Sequence, residues 1–287
     1  MVARYHPDFF NKIIRWLGNF TVTALALLLC CYFYSSKIEP NWIEVIPVQL
    51  TIPNLDSAFN EFKIVQISDI HTSAFMPESR LKKIVKLVNR QNPNAIAITG
   101  DVITKYKKFD ANKIENILSK LTSDDGNFSV LGNHDHWEKV TDKLKKSLAK
   151  SNINNLDNQV YIIERGTAKL AIAGIDDPYW GKPDLDRVIN QLPNNTPAIL
   201  LVHEPDYAEQ AVQTHKFALQ LSGHSHGGQI RIPLRDPLVL PRGGRKYFDG
   251  LNQVGDMAEY TNRGLGMTGL PFRFGSRPEI TVFTLHS

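Results

Sequence analysis

The stretch Ser129–His136 reads Ser-Val-Leu-Gly-Asn-His-Asp-His and places three polar side chains directly after a short apolar run. Asn133, His134 and Asp135 offer an amide, an imidazole and a carboxylate in immediate succession. Such groups at the exposed end of a buried strand are uncommon in a hydrophobic core and typical of a reaction centre. Because four residues alone are also compatible with a polar turn, the other strand ends of the chain decide the interpretation.

Nitrogen and oxygen donors follow apolar runs at four further places along the chain. The full set of candidate metal ligands is Asp69, His71, Asp101, Asn133, His203, His224 and His226. Burying two carboxylates and four imidazoles together costs many kcal/mol unless a strong positive partner compensates them. A pair of divalent metal ions supplies that partner, so the pattern predicts a binuclear metal centre.

Each of these residues also has a structural explanation when it is taken alone. A single aspartate after a strand is usually a turn residue or a helix cap, and an isolated His203 is more often a hydrogen-bonded core histidine. His224 and His226 are harder to explain in this way, because side chains two residues apart in extended chain point to the same side. The prediction of a metal centre therefore depends on finding donors at all five strand ends of one chain.

The first half of the chain alternates apolar strands with amphipathic helices. Helical spacing occurs twice, at Leu81, Ile84, Val85 and Val88, ended by Pro93, and at Ile114, Ile117, Leu118 and Leu121. Strands are predicted at Val45–Ile52, Lys63–Ser68 and Ala95–Thr99, and in the run before Asn133. This order indicates parallel βαβ units covered on both faces, whose polar groups gather beyond the carboxyl ends of the strands.

The second half keeps the strands but loses most of the helices. The predicted elements are a hairpin of Val160–Glu164 and Lys169–Gly174, a short helix near Asp184–Gln191, strands at Ala198–Val202 and Phe217–Ser222, and late strands at Gln229–Ile232 and Glu279–Leu285. With 287 residues, of which 42% are apolar and 22% charged, the chain can bury a substantial core. We expect an α/β fold of two packed mixed β-sheets flanked by helices, forming one domain over residues 42–287.

The N-terminal segment 17–34 contains no charged residue over 18 positions, which is close to the minimum for a membrane-spanning helix. We expect a transmembrane helix or signal anchor, with residues 1–16 as a short cytoplasmic N-terminus and residues 35–41 as a linker. The alternative is a cleaved secretory signal, although no Ala-x-Ala-like site follows. Lys and Arg are more numerous before the segment than after it, which predicts a single-pass protein of the cell membrane with an extracytoplasmic domain. A domain on the cytoplasmic face remains the alternative.

Charge and cysteine content exclude some classes of site. The formal net charge is +4, and it is concentrated towards the two ends of the chain, so the middle is about neutral. A neutral middle and a membrane anchor argue against nucleic acid as a partner. The two cysteines, Cys30 and Cys31, lie within the apolar segment, so disulfides and thiolate metal sites are excluded from the rest of the chain.

Together these residues resemble the five motifs of the calcineurin-like metallophosphoesterases over about residues 60–286. The matching motifs are Asp69-x-His71, Gly100-Asp101, Gly132-Asn-His-Asp135, His203 and Gly223-His-Ser-His226. The apolar N-terminal segment, the Gly223–Gln229 stretch and the closing Arg263–Ile280 stretch resemble the membrane-associated bacterial branch. Some members of that branch hydrolyse the pyrophosphate of UDP-2,3-diacylglucosamine in lipid A synthesis.

The resemblance implies a division of the ligands between two metals. Asp69, His71 and His226 would hold the first metal, Asn133, His203 and His224 the second, and Asp101 would bridge them. Two divalent ions can activate water and stabilise charge on a phosphoryl group. The family pattern favours Mn²⁺, and Fe or Zn²⁺ also suit a set of imidazole and oxygen donors.

Five further residues are candidates for catalysis or substrate binding. We hypothesise that His134 donates a hydrogen bond to the phosphoryl group or protonates the leaving oxygen, and that Asp135 fixes its tautomer. The alternative for His134 is packing under the metal loop. Arg263, Arg273 and Arg277 lie among glycines and are candidate phosphate ligands, with structural ion pairs as the alternative.

The predicted function is a membrane-anchored dimetal phosphoesterase that hydrolyses a phosphodiester or pyrophosphate bond. A lipid-linked substrate fits the anchor, and hydrolysis of UDP-2,3-diacylglucosamine is the specific alternative. A UDP-linked precursor is met at the cytoplasmic face, whereas the charge bias places the domain outside. A noncatalytic interaction module on the same fold is the alternative from a different class, and the oligomeric state stays open.

Overall fold

The computed structural model describes residues 7–72, 75–104, 110–136, 140–232, 234–237 and 239–287. Its strands are β1 (Glu44–Thr51), β2 (Phe62–Ile67), β3 (Ala95–Thr99), β4 (Gly126–Val130), β5 (Ile153–Asn155), β6 (Gln159–Arg165), β7 (Ala168–Gly174), β8 (Ala198–Leu201), β9 (Leu219–Ser222), β10 (Gly250–Val254), β11 (Met257–Thr261) and β12 (Glu279–His286). Its helices are α1 (Pro7–Phe33), α2 (Glu78–Asn89), α3 (Ala111–Leu118), α4 (Thr141–Lys150), α5 (Leu185–Gln191) and α6 (Ala208–Ala211).

The strands form two mixed sheets. The first has the order β1-β12-β2-β3-β4-β5, in which β2 to β5 run parallel and β12 is antiparallel to β2. The second has the order β10-β11-β9-β8-β7-β6, and its parallel centre is flanked by antiparallel strands at both edges. The predicted class of two packed mixed sheets is confirmed.

Apolar side chains fill three layers around these sheets. Phe62, Phe128 and Phe283 of the first sheet share one buried cluster with Leu170 and Leu219 of the second, so this cluster is the core between the sheets. A second cluster lies under α2, α3 and α4, and a third lies under α5 and α6. The helices therefore cover the outer faces, as expected for parallel strands that are apolar on both sides.

The helical spacing of the first half also holds in the structure. Leu81, Ile84, Val85 and Val88 of α2 are all buried, which explains why this sequence forms an amphipathic helix against the sheet. The Asp110 carboxylate accepts a hydrogen bond from the Lys113 N–H and caps α3, which ends before Leu121.

One predicted strand is wrong. Gln229–Ile232 forms only an isolated bridge between Ile230 and Phe274, because the chain turns sharply at its start. Gly228 and Gln229 both have positive φ, of 78° and 49°, which is incompatible with extended chain.

Residues 35–41, expected as a linker, are helical and packed against the domain. A π-helical turn (Tyr34–Ile38) and a 3₁₀ turn (Glu39–Asn41) continue α1. Glu39 is buried and its carboxylate accepts the Ser276 N–H at 2.7 Å, while the Arg80 guanidinium donates to the Pro40 carbonyl. The difference arises because contacts with loop 263–278 satisfy polar groups that an isolated linker would leave to water.

The predicted span 17–34 lies within a longer apolar helix. Asn11–Asn41 is long and apolar enough to cross a membrane, by length and composition, and the domain buries none of its most apolar 18-residue window. Directly after it, β1 pairs in parallel with the last strand, β12. The end of the apolar helix is therefore fixed to the sheet that carries half of the candidate site.

Candidate metal centre

The predicted ligands converge at the carboxyl ends of parallel strands from both sheets. Asp69 follows β2, Asp101 follows β3 and Asn133 follows β4, all in the first sheet. His203 follows β8, and the His224–His226 pair follows β9, in the second sheet. Because the two sheets pack face to face, these loops meet at one end of the molecule. The expectation that polar groups gather there is confirmed.

Several of these residues adopt a left-handed backbone conformation. The φ values are 48° for Asp69, 47° for His71, 51° for Asp101, 70° for His224 and 52° for His226. Each such residue costs on the order of 1–3 kcal/mol and persists only where its surroundings fix it. Here the N–H of Asp69 donates to the Gly100 carbonyl at 3.0 Å, and that of His71 to the Asp101 carbonyl at 2.9 Å. Strain of this kind is characteristic of functional sites.

Two glycines allow the loops to approach one another. A Cβ at Gly100 would overlap the His203 ring, and Gly100 itself has a φ of 91°. A Cβ at Gly223 would overlap the Ser68 hydroxyl and the Asp69 carboxylate. Each of these glycines precedes a candidate ligand, so the close approach that only glycine permits brings the donor atoms together.

The first group of donors consists of Asp69, His71 and His226, all buried. The Nε2 atoms of the two histidines are 3.0 Å apart. The Asp69 Oδ1 atom lies 3.3 Å from His226 Nε2 and 3.9 Å from His71 Nε2, and it has no hydrogen-bond donor. Three donor atoms therefore face one small volume.

The second group contains Asp101, Asn133, His203 and His224. The Asp101 Oδ2 atom is 3.3 Å from His203 Nε2 and 3.5 Å from His71 Nε2, so it lies between the two groups. His224 Nδ1 is 3.2 Å from His203 Nε2. The Asn133 Oδ1 atom is buried and has no hydrogen-bond partner. An orphaned acceptor of this kind calls for an ion or a water as its partner.

Backbone carbonyls fix the tautomers of two histidines. His203 Nδ1–H donates to the Thr99 carbonyl at 2.7 Å, and His224 Nε2–H donates to the Arg242 carbonyl at 2.9 Å. The opposite nitrogen of each ring therefore keeps its lone pair and points into the site. Carbonyl partners of this kind are typical of histidines that bind metals.

Burial dominates the electrostatics of the site. Burial lowers the pKa of His71 to about 3 and that of His224 to about 4, so both imidazoles are neutral and able to bind a metal. Burial also raises the pKa of Asp69 to about 6. For His203, burial opposes protonation, but the Asp101 carboxylate holds its pKa well above the usual range. The neutral imidazoles of His71 and His224, beside unpartnered carboxylate and amide oxygens, fit divalent cations.

The structure corrects the role expected for Asp135. Its carboxylate is fully buried and accepts backbone N–H groups from Val102 at 3.2 Å, Ile103 at 3.0 Å and Gly132 at 3.1 Å. It therefore joins the loops that carry Asp101 and Asn133. It does not hold the His134 ring.

His134 lines a cavity beside the ligands, and a backbone carbonyl fixes its orientation. His134 Nδ1–H donates to the Thr104 carbonyl at 3.1 Å, and Nε2 has no hydrogen-bond partner in the described part of the chain. The backbone N–H of His134 donates to Asp101 Oδ1 at 2.8 Å. Thr104, and not Asp135, therefore fixes the tautomer of His134. Thr104 was not identified from the sequence.

Arg273 is placed away from any substrate, which corrects its predicted role. It is fully buried, and its guanidinium donates to the carbonyls of Arg263, Gly264, Gly266 and Ser276. His226 Nδ1, at 3.3 Å from Nη2, is more distant than those oxygens. The guanidinium shapes the loop behind His226.

Arg263 and Arg277 are also engaged in ion pairs. Arg263 pairs with Glu279 and, at 2.8 Å, with Glu44. Arg277 pairs with the same Glu44 at 2.7 Å and stacks on Trp42, with 3.6 Å between guanidinium and ring centroid. Neither lines the cavity beside His134. Structural ion pairs therefore describe Arg263 and Arg277 better than the expected role as phosphate ligands.

We expect an Arg273→Leu variant to be strongly destabilised. The substitution removes the donors of four carbonyls in a buried loop, and each buried unsatisfied acceptor costs about 1–3 kcal/mol. Thermal unfolding followed by circular dichroism should show a melting temperature lowered by ten degrees or so, or more. The matched variant Arg235→Leu, at an exposed position, should unfold like the wild type. Equal stability of the two variants would contradict the role given to Arg273.

Glu204 and Asp177 form an acidic pair that sequence reasoning left without a role. Both are buried beside His203, and burial together with Asp177 raises the pKa of Glu204 well above the usual range. Asp177 Oδ1 accepts the N–H groups of Tyr179 at 2.9 Å and Trp180 at 2.6 Å, which fixes the loop after β7. The only signal of this pair in the sequence was Glu204, which directly follows the candidate ligand His203.

A cavity of about 490 Å³ opens beside the two donor groups. Asp101, Asn133, His134, His224 and His226 line it. Its lining also includes the apolar or small residues Ile230, Val239, Pro241, Gly269 and Leu270. A substrate in this cavity would meet both the metal ligands and apolar side chains.

The two mixed sheets and the convergent donors define a metal-dependent phosphoester hydrolase. Residues 62–228 match the calcineurin-like phosphoesterase family, and the chain belongs to that family. The resemblance read from the five motifs is confirmed by this match.

Three relatives show how far the similarity extends. The metallophosphoesterase YkuE of Bacillus subtilis is 38% identical over 89% of this chain and 90% of its own length. The phosphodiesterase YaeI of Escherichia coli is 30% identical, over 88% and 92%. A transmembrane protein with a metallophosphoesterase domain from Danio rerio is 31% identical over 93% of this chain, which spans 63% of that protein. The name of the Danio rerio relative and the apolar helix α1 indicate membrane association.

Proposed function

We propose that this protein is a dimetal hydrolase of phosphodiester or pyrophosphate bonds. The observation that supports this most directly is the convergence of Asp69, His71 and His226 beside Asp101 and His203, with several buried donor atoms that have no protein partner. So many anionic and imidazole groups are compatible with one pocket when cations separate them. The name of the relative YaeI agrees with phosphodiesterase activity.

The geometry supports a division of the ligands between two ions. Asp69, His71 and His226 would hold one ion, while Asn133, His203 and His224 would hold the other. Asp101 would serve both, because its Oδ2 atom lies 3.5 Å from His71 and 3.3 Å from His203. Two bound divalent ions supply a water of lowered pKa and positive charge for a phosphoryl group.

The protein's own residues orient the reacting group. His134 lines the cavity, and its Nε2 atom has no hydrogen-bond partner among the described residues, so His134 is placed to donate to a phosphoryl oxygen or to the leaving oxygen. Asp135 keeps the loops of Asp101 and Asn133 in register through its three backbone hydrogen bonds. The mechanism therefore assigns His134 to the substrate and Asp135 to positioning.

A hydrolysis panel with defined metals tests this proposal. The full chain is purified in detergent, stripped of metal, and supplied with Mn²⁺, Fe²⁺, Zn²⁺ or Mg²⁺. Bis(p-nitrophenyl) phosphate, phospholipids and nucleotide-diphospho-lipids serve as substrates. We expect about two metal ions per chain and the highest turnover with Mn²⁺. Metal binding without hydrolysis of any substrate would favour the noncatalytic interaction module instead.

The lining of the cavity and the nearby helix α1 favour a lipid-linked substrate. Part of the cavity lining is apolar, and loop 268–274 contributes to the lining through Thr268, Gly269 and Leu270. The same loop packs on α1, where Phe272 lies 5.5 Å from Tyr32 between ring centroids. Acyl chains can pack against such apolar residues. A diacylated UDP-sugar therefore belongs in the panel.

The side of the membrane on which the domain lies affects which lipid-linked substrate it can meet. Lys and Arg are more numerous before the apolar segment than directly after it, which supports an extracytoplasmic domain. A lipid-linked phosphodiester of the outer leaflet suits that orientation, and a UDP-linked precursor suits the opposite one. Fusion of a topology reporter to the C-terminus would decide between them.

A further inference from the structure

Four large apolar side chains are exposed at two neighbouring cavities: Val239 and Leu270 line the metal-site cavity, and Ile232 and Leu234 line a second one. Leu234 is 105% exposed, Val239 78%, Leu270 56% and Ile232 43%. We call these four residues the apolar rim. Scattered single apolar residues on a surface need no explanation, but a continuous group beside a binding cavity marks an interaction surface.

The apolar rim is continuous with the cavity. Val239 and Leu270 line it together with Ile230, and Ile230 forms a bridge with Phe274. Gln229 donates to the carbonyls of Thr268 and Leu270 at 3.0 and 3.1 Å, which joins the two segments that carry the rim. The rim and the apolar part of the cavity lining are therefore one surface that leads from outside to the metal ligands.

The apolar rim also borders the end of the candidate membrane helix. Ile232 and Leu234 share a second cavity with Tyr34, the residue directly after α1. Tyr34 and Phe274 lie 6.0 Å apart between ring centroids, and the Arg273 N–H donates to the Ser35 carbonyl at 2.9 Å. These contacts place the rim at the level where the uncharged segment 17–34 ends. In a bilayer that level is the boundary between hydrocarbon and head groups.

We propose that the apolar rim inserts into the bilayer surface, so that the metal-site cavity opens directly onto the membrane. The occupant of this surface is the acyl-chain layer, and the apolar part of a substrate reaches the metals by moving sideways out of it. This inference rests on the proposed function for its substrate, but the contact between rim and bilayer is a separate property.

Charged residues near the apolar rim fit the same orientation. Lys37 and Arg235 are exposed, and no ion pair engages either of them in the part of the chain that the structure describes. Arg235 lines the second cavity together with Tyr34 and Leu234. Cationic side chains at this depth meet lipid phosphates while apolar neighbours meet acyl chains.

An environment-sensitive fluorophore measures the depth of the rim without reference to activity. Cys30 and Cys31 are replaced by alanine in the full chain, and Leu234→Cys is labelled with a nitrobenzoxadiazole dye. The protein is reconstituted into phosphatidylcholine–phosphatidylglycerol vesicles, with and without doxyl-labelled lipids. We expect a blue-shifted, roughly threefold brighter emission that doxyl lipids quench. The control label at Leu251→Cys, an exposed position on β10 that lines neither cavity, should keep its water-like emission.

The other outcomes overturn the inference. Water-like emission at position 234 in vesicles would show that the rim stays in solvent. A blue-shifted emission that doxyl lipids do not quench would show that protein, and not lipid, covers the rim.

A kinetic test separates this inference from the proposed function. Leu234→Ser combined with Ile232→Ser, two rim residues that do not line the metal-site cavity, should lower hydrolysis of a vesicle-embedded phosphodiester by about tenfold or more, and leave hydrolysis of bis(p-nitrophenyl) phosphate in detergent unchanged. Absence of hydrolysis of the soluble diester by the unmodified chain would contradict the proposed function, whereas the label would still report the depth of the rim. Equal loss on both substrates would contradict the inference alone.

Discussion

An Asp101→Asn variant is expected to lose at least one metal ion per chain and roughly a thousandfold in kcat. Asp101 Oδ2 lies between His71 and His203, so its carboxylate faces both donor groups. An amide has one good acceptor oxygen where a carboxylate has two, so it cannot serve both ions equally. A thousandfold corresponds to about 4 kcal/mol of transition-state stabilisation, a size expected from metal-ion catalysis. Elemental analysis and Mn²⁺-dependent hydrolysis of bis(p-nitrophenyl) phosphate measure the two effects.

The substitution is chosen because it leaves the fold intact. Asn is among the residues that tolerate the left-handed φ of 51° at this position. Its Oδ1 atom can still accept the His134 N–H that Asp101 Oδ1 accepts at 2.8 Å. Asp142→Asn, an exposed position on α4, makes the same chemical change away from the site and should behave like the wild type. Full metal content and turnover in Asp101→Asn would contradict the bridging role.

The sequence could predict the donor set because each ligand is local to a strand end. The apolar runs before Asp69, Asp101 and His203 indicate buried parallel strands, and the carboxyl ends of such strands meet at one edge. Burial, the donor distances and the unpartnered oxygens then agree with that expectation. The same local reasoning predicted the faces of α2 and α3.

The sequence could not predict contacts with backbone groups far along the chain. His134 and its partner Thr104 are 30 residues apart, and the partner atom is a carbonyl, which every residue has. Arg273 lies among glycines, as a phosphate ligand would, but the turns of its own loop direct the carbonyls onto it. Glu39 meets the Ser276 N–H across 237 residues, so the packed form of residues 35–41 has no local signal.

A His134→Ala variant is expected to lose roughly a hundredfold to ten-thousandfold in kcat while it keeps both metals. The ring is not among the donors that converge on the cations, since its Nδ1–H donates to the Thr104 carbonyl and the residue lines the cavity. Metal content by elemental analysis should therefore equal that of the wild type. The role of an acid predicts that the loss is smaller for a p-nitrophenyl ester than for an alkyl ester, because a good leaving group needs no proton.

The Thr104 contact makes the prediction more specific. Since Thr104 accepts the Nδ1 hydrogen, Nε2 is the ring nitrogen available to the substrate. His134→Gln, whose amide can donate a hydrogen bond to the phosphoryl group, should therefore recover part of the rate. His286→Ala is the control, because β12 runs antiparallel to β2 and ends at the opposite edge of the sheet. Unchanged turnover in His134→Ala with both metals bound would remove His134 from the proposed mechanism.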